Sequence, residues 1–266
     1  MESRLSFGPG GIVNGGEPVR LGRGGRAILM LHGFGDTPQS LRPLAIAMHA
    51  RGWTVHAPLL SGHGRPLRDL ARSRAADWLA DARRALAELQ LEATTVSIVG
   101  QSMGGAIAVT LAAESNPMSL VLLAPYLSMS RRGSRIARFR WLVSVFVPVI
   151  VTRTDSSILD PEARRQALGA GVTTPRLARE LAGIVRGAWQ SAPSVTAPTL
   201  VIHSRRDPRI PVRDAERGYA RIGAPGKALR WVEGSGHVLA VDYDRDLIAT
   251  EVASWLEQHS ARRKDP

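Results

Sequence analysis

The chain reads as an α/β protein, with a mostly parallel central sheet, helices on both faces and an inserted cap. Three observations support this. Short apolar runs recur at residues 27–31, 54–59, 95–99, 120–124, 199–203 and 229–232. They are nearly unbroken, as strands covered on both faces must be, because neither side of such a strand meets water. Helical patterns separate most of them, and strand–helix alternation is the signature of a layered α/β fold. The alternation stops between Tyr126 and Ser191, where arginines, prolines and one apolar stretch replace it. The expected organisation is a core of residues 1–125 and 192–266 with a cap or lid at 126–191.

The elements follow in order. Residues 1–20 are glycine-rich and polar, with no apolar segment of the signal-peptide type. After the 27–31 strand, Asp36 or Thr37 can cap a helix that has Pro38 at its first position and Leu41, Leu44 and Met48 on one face. After the 54–59 strand, Trp78, Leu79, Ala82, Leu86 and Leu89 form a stripe of helical period. The 95–99 strand opens into a small-residue helix carrying Ala106, Ala108, Ala112 and Ala113. Leu247, Ile248, Val252, Trp255 and Leu256 form a last stripe near the C-terminus. The longest apolar run, 141–151, is interrupted by Ser144 and Pro148 and spans eleven residues, where a membrane crossing needs about 20. A cytoplasmic location is expected.

Composition removes several classes. The 266 residues include no cysteine, which excludes a disulfide scaffold, a thiol nucleophile and a cysteine-ligated metal. A hydrophobic share of 44% with mixed charges argues against disorder. The net charge is +12, and it is unevenly placed: residues 126–191 carry 11 basic and 4 acidic groups, against 12 and 9 in 1–125 and 12 and 10 in 192–266. Arg131, Arg132, Arg135, Arg138 and Arg140 directly precede the apolar run. Cationic and apolar groups side by side suit transient contact with an anionic lipid surface, or a solvated cap face above a buried pocket. A nucleic-acid partner is not expected, since no recognisable reading element accompanies the charge.

The chemistry centres on Gly100-Gln101-Ser102-Met103-Gly104. This is G-x-S-x-G at a strand-to-helix junction, where a tight turn lifts the serine hydroxyl clear of the sheet and glycines two positions away avoid a clash. Serine needs a base held in one tautomer. His237, in the glycine-flanked loop Glu233-Gly234-Ser235-Gly236-His237, follows the 229–232 strand. Asp207, which follows the 199–203 strand, is the best-placed acid; the rivals are Asp155 and Asp160 in the cap and Asp242 on the last helix. The carboxyl ends of the strands are where such a sheet gathers its reacting groups. Oxyanion donors are expected from the backbone N–H of Met103 and of Phe34, in Leu31-His32-Gly33-Phe34-Gly35-Asp36. His63, in Ser61-Gly62-His63-Gly64, and His32 read as loop-bracing residues. No paired histidines at helical spacing and no phosphate loop are present, so neither metal nor cofactor is expected.

Together the segments 31–45, 57–64, 100–105 and 236–238 resemble the bacterial monoacylglycerol lipases and their carboxylesterase relatives, over residues 26–125 and 195–258. The resemblance implies the α/β-hydrolase fold and ester hydrolysis through an acyl-enzyme. Ser102, Asp207 and His237 would be the triad and Phe34 and Met103 the oxyanion donors. A small-molecule ester or lipid would be the substrate: a monoacylglycerol-like or short-to-medium acyl ester. The chain departs from the family at Gly35-Asp36, where Thr-Gly is commoner, and throughout 126–191. Thioesterase, acyltransferase, perhydrolase and C–C hydrolase activities use the same three residues. A non-catalytic lipid-binding protein would usually have lost one of them.

Overall fold

The six recurrent apolar runs become strands of one sheet in the computed structural model, which describes residues 6–128, 150–151 and 157–261. The strands are β1 (Val19–Leu21), β2 (Arg26–Leu31), β3 (Thr54–Ala57), β4 (Thr95–Gln101), β5 (Leu120–Leu123), β6 (Ile150–Val151), β7 (Val172–Thr173), β8 (Thr199–Ser204) and β9 (Lys227–Val232). The helices are α1 (Arg42–His49), α2 (Leu67–Arg72), α3 (Ala75–Glu92), α4 (Met103–Ser115), α5 (Pro161–Gln166), α6 (Pro175–Ser191), α7 (Val212–Arg221) and α8 (Arg245–Ala261). Among the described residues, seven strands form the sheet in the order β1-β3-β2-β4-β5-β8-β9, and β6 pairs with β7 separately. Only β1 runs antiparallel to its neighbour in the main sheet.

Alternation along the strands sorts two apolar layers. Ala27, Leu29 and Leu31 of β2, with Ile98, Leu120, Leu122 and Val201, face α3, α4 and α6. Ile28, Met30, Val99, Val121, Leu123, Leu200 and Ile202 face α1 and α8. Helix α4 is buried on nearly every side, from Met103 to Ala112. Its small residues leave room for the sheet below and α6 beside it, so it carries no amphipathic stripe.

The differences from the expected elements have local causes. The 54–59 strand stops at Ala57 because Pro58 has no N–H for the ladder. The 120–124 strand stops at Leu123, since Ala124 turns to φ 42° ahead of Pro125. Within the span 126–191, α6 places Leu177, Ile184 and Ala188, with half-buried Leu181, in the core layer beside α4. Asp242 lies in the loop before α8 rather than on the last helix.

The strand order also places the crevice. After β2 the chain adds β3 on one side, then crosses to add β4 on the other. The loops leaving β2 and β4 therefore diverge, and a cleft opens at the carboxyl ends of these two strands.

Candidate active site

Ser102 occupies that cleft between β4 and α4, at φ 55° and ψ −117°. A non-glycine residue reaches this region only when its surroundings impose it. Here the Ser102 N–H donates to the Leu123 carbonyl at 3.0 Å, and the Ser102 carbonyl accepts from Tyr126 N–H at 3.0 Å and Ala106 N–H at 3.2 Å. The turn is so tight that a Cβ on Gly100 would stand 2.4 Å from the Gly104 carbonyl oxygen.

Two further loops converge on this hydroxyl. The loop after β9 brings His237 Nε2 to 2.8 Å from Ser102 Oγ. The loop after β8 brings Asp207 Oδ2 to 2.7 Å from His237 Nδ1. An ionised carboxylate only accepts, so the imidazole proton sits on Nδ1 and Nε2 is left to accept from the serine. The other oxygen of Asp207 accepts from the N–H groups of Arg209 at 2.7 Å and Ile210 at 3.0 Å. Burial pushes the Asp207 carboxyl up, but His237, the Ile210 N–H and His203 together outweigh it and hold the acid below its ordinary value. The carboxylate is thus charged at neutral pH. Ser204 ties the two loops together by donating to the Ser235 carbonyl.

The loop after β2 forms the opposite wall. Gly33 backs onto Ser102, where a Cβ would lie 3.4 Å from Ser102 Cβ, and Phe34 is the next residue. Met103 is the first residue of α4, so its N–H has no acceptor within the helix. His32 is fully buried: its Nδ1–H donates to the Gly33 carbonyl at 2.9 Å and its Nε2 accepts from Leu60 N–H at 3.1 Å. Ala170 N–H donates to the Gly35 carbonyl at 2.7 Å and pins the far side of the loop. The Phe34 ring meets His63 and Trp78 edge-on, at centroid distances of 5.9 and 5.8 Å. His63 is itself buried, with Nδ1 3.2 Å from the Ser61 carbonyl. Both histidines brace the loop and are neutral.

The family model described as serine aminopeptidase, S33, matches residues 24–244, a span that holds all three loops. The chain belongs to this family. A thermostable monoacylglycerol lipase of Bacillus sp. (strain H-257) is 26% identical over 255 residues, covering 94% of this chain and 97% of its own. A carboxylesterase of Bacillus subtilis (strain 168) is 26% identical over 243 residues, covering 91% and 96%. A solved structure from the metagenome-derived lipolytic enzymes LipS and LipT is 30% identical, covers 93% of this chain and 100% of its own, and superposes with a TM-score of 0.86.

The hydrolase has further groups around the cleft that its sequence did not single out. Arg209, two residues after Asp207, donates from Nε to Ser157 Oγ at 2.8 Å. Of the rival acids, Asp160 caps α5 by accepting from Glu162 N–H at 2.9 Å. Asp242 is fully buried among backbone N–H groups. Asp155, the five arginines of 131–140 and residues 141–149 of the apolar run lie outside the described residues. Among the described residues no group of three or more histidine and acidic side chains could hold a metal, and no helix is long and apolar enough to cross a membrane.

The buried loop groups make the stability of this hydrolase depend on pH. Burial, and for His32 also the neighbouring His63, lowers the two histidines to about 3 and about 4. Both are neutral in the fold, while in the unfolded chain each takes a proton near pH 6.5. Their contribution is complete above pH 6.5 and is lost as pH falls towards the native values. Asp36 opposes them, because burial raises its carboxyl to about 6, so the fold takes up a proton there before the unfolded chain does. Two histidines against one carboxyl leave one net proton between the states from pH 6 to 4. The unfolding free energy should then fall by about 1 kcal/mol per pH unit. His56 and His203, both lowered chiefly by burial, add in the same direction. Urea midpoints at pH 7, 6 and 5 measure the slope. His63→Phe keeps the ring contacts and should flatten it.

Proposed function

We propose that this hydrolase cleaves carboxylic esters through an acyl-enzyme, with Ser102 as nucleophile, His237 as general base and then acid, and Asp207 orienting the imidazole. The observation that carries the reading is the continuous hydrogen-bonded relay from Asp207 to His237 to Ser102, at 2.7 and 2.8 Å, on a backbone turn held at positive φ. Ser102 Oγ bonds to the ester carbonyl carbon as its proton passes to His237 Nε2. The Met103 and Phe34 N–H groups receive the resulting oxyanion, each contributing about 10²–10³ in rate. Collapse breaks the C–O bond to the alcohol, which leaves with the proton from His237. Water, deprotonated by the same nitrogen, then releases the acid and restores Ser102. No cofactor enters these steps.

The enzyme is a carboxylic-ester hydrolase, and the names of its relatives support monoacylglycerol-like or short-to-medium acyl esters as substrates. Contact with an anionic lipid surface through Arg131, Arg132, Arg135, Arg138 and Arg140, and a cytoplasmic location, belong to the same proposal. A panel of p-nitrophenyl esters of graded chain length, run beside monoacylglycerol in neutral and in anionic vesicles, tests it. Turnover is expected on short and medium acyl chains, with anionic vesicles raising the rate on monoacylglycerol. Inactivity on every ester would overturn the reaction, and indifference to vesicle charge would overturn the surface contact.

A further inference from the structure

The loop bearing His237 is too short and too glycine-rich to hold an imidazole in place by itself, since Gly234 and Gly236 flank Ser235 within it. Its rigidity comes from elsewhere in the chain. Asp242 is 0% exposed, and each of its carboxylate oxygens binds backbone from two directions. Oδ2 accepts from Gly236 N–H and from Leu159 N–H, both at 2.8 Å. Oδ1 accepts from Asp160 N–H at 2.8 Å and from Tyr243 N–H at 2.9 Å. A buried carboxylate is costly unless such donors surround it, and here they do.

The same short stretch, residues 157–160, reaches His237 directly. The Ser157 carbonyl accepts from the N–H of His237 at 2.8 Å and from that of Val238 at 3.0 Å. Ser157 Oγ accepts from Arg209, whose own N–H binds Asp207 Oδ1. Arg245 fastens the outer end of the stretch through Asp160 Oδ2 at 3.1 Å. Residues 157–160 therefore bridge the loop of the base and the loop of the acid, and Asp242 bonds that bridge to the residue preceding His237.

We infer that Asp242 is a positioning residue for catalysis: by bonding residues 159–160 to Gly236 it fixes the His237 imidazole between Asp207 and Ser102. It touches no reacting atom and acts only through the backbone on either side of the base. The inference rests on the proposed role of His237. A carboxylate suits this position because all the groups facing it are donors. An amide must turn its NH2 towards two of those N–H groups whichever way it lies, so Asp242→Asn breaks one side of the clamp while keeping the volume.

The test compares wild type with Asp242→Asn in steady-state ester hydrolysis, in the rate of fluorophosphonate labelling, and in the downfield proton resonance of the His237–Asp207 hydrogen bond. The expected result is a kcat lower by roughly 10²-fold, the scale of a 1 Å misplacement. KM should stay within about two-fold, labelling should slow by a similar factor to kcat, and the downfield resonance should shift or broaden. Thermal melts give the folded fraction by which every rate is divided. Should Asp242→Asn fail to fold, Ser157→Gly decides instead. It loosens the bridge backbone and removes the bond between Arg209 Nε and Ser157 Oγ, and kcat should fall several-fold with KM retained. Either folded variant keeping wild-type kcat, labelling rate and resonance, with only its melting temperature lowered, would overturn the inference. Wild-type turnover in a Ser102→Ala control would overturn the underlying catalytic reading, a separate outcome.

Discussion

Replacing Ser102 with alanine is expected to lower kcat about 10⁶-fold, the largest effect any single side chain here can have. In the proposed reaction the hydroxyl oxygen is the atom that bonds to the substrate, and alanine offers nothing in its place. His237 would lose the proton donor 2.8 Å from its Nε2 but keep its bond to Asp207. The proposed oxyanion donors, the N–H groups of Phe34 and Met103, are backbone groups and stay in place, so the residual rate over water should be the roughly 10³–10⁴ that binding and the oxyanion site supply. The fold should persist, because the bonds to Leu123, Tyr126 and Ala106 that hold residue 102 are all made by its backbone. Active-site labelling with a fluorophosphonate probe, followed by peptide mapping, checks this: wild type should carry the label on Ser102 and the variant should carry none. Persistent labelling of the variant would assign the nucleophile elsewhere.

Gly104→Ala should abolish the native fold or leave it barely stable. A Cβ at this position would stand 2.1 Å from the Leu31 carbonyl oxygen, 2.5 Å from its carbon and 2.6 Å from the His32 carbonyl oxygen. These are backbone atoms at the end of a central strand, and no rotamer change relieves the overlap. The start of α4 would have to withdraw from β2, carrying Met103 and Ser102 away from the Gly33–Phe34 loop. A loss of about 4 kcal/mol or more is expected. That lowers the melting temperature by on the order of 10 °C, with activity lost even in the folded fraction. Gly183→Ala is the matched control. It lies within α6, and nothing stands within 4 Å of the added carbon, so the variant should melt at or slightly above wild type. Equal behaviour of the two variants in thermal melts would refute the close-packing account of the elbow.

Legibility differed between elements for physical reasons. The five inner strands β2, β3, β4, β5 and β8 stand out because both their faces are dry, which leaves nearly unbroken apolar runs; β9 lies at the sheet edge with Arg230 exposed, and Leu229, Trp231 and Val232 mark it. Strand β1 has three residues at the sheet edge, with only Val19 buried, too few for any period to emerge. Helix α6 does carry a readable stripe at 177, 181, 184 and 188, but four arginines and glycines interleave with it. Its place in the core layer depends on α4 lying alongside. His32 and His63 were readable as bracing residues from their glycine-flanked loops. Their neutral state was not, since it arises from burial against Phe34, Trp78 and each other.

Local chemistry alone marked out the elbow and the two loops that supply Asp207 and His237, because a nucleophilic turn demands small residues at set positions and parallel strands deliver their loops to one edge. Asp242 shows where such reading stops. Among the four candidate aspartates it ranked behind Asp207, which directly follows a strand, but nothing in its neighbours told what its own carboxylate would meet. The difference lies in what faces each carboxylate: an imidazole N–H at 2.7 Å for Asp207, backbone amides from residues 159, 160 and 236 for Asp242. Those amides come from segments about eighty residues apart in the chain. Every residue type but proline carries an N–H, so no sequence pattern announces where it will point; the folded backbone alone decides which carboxylate those amides surround.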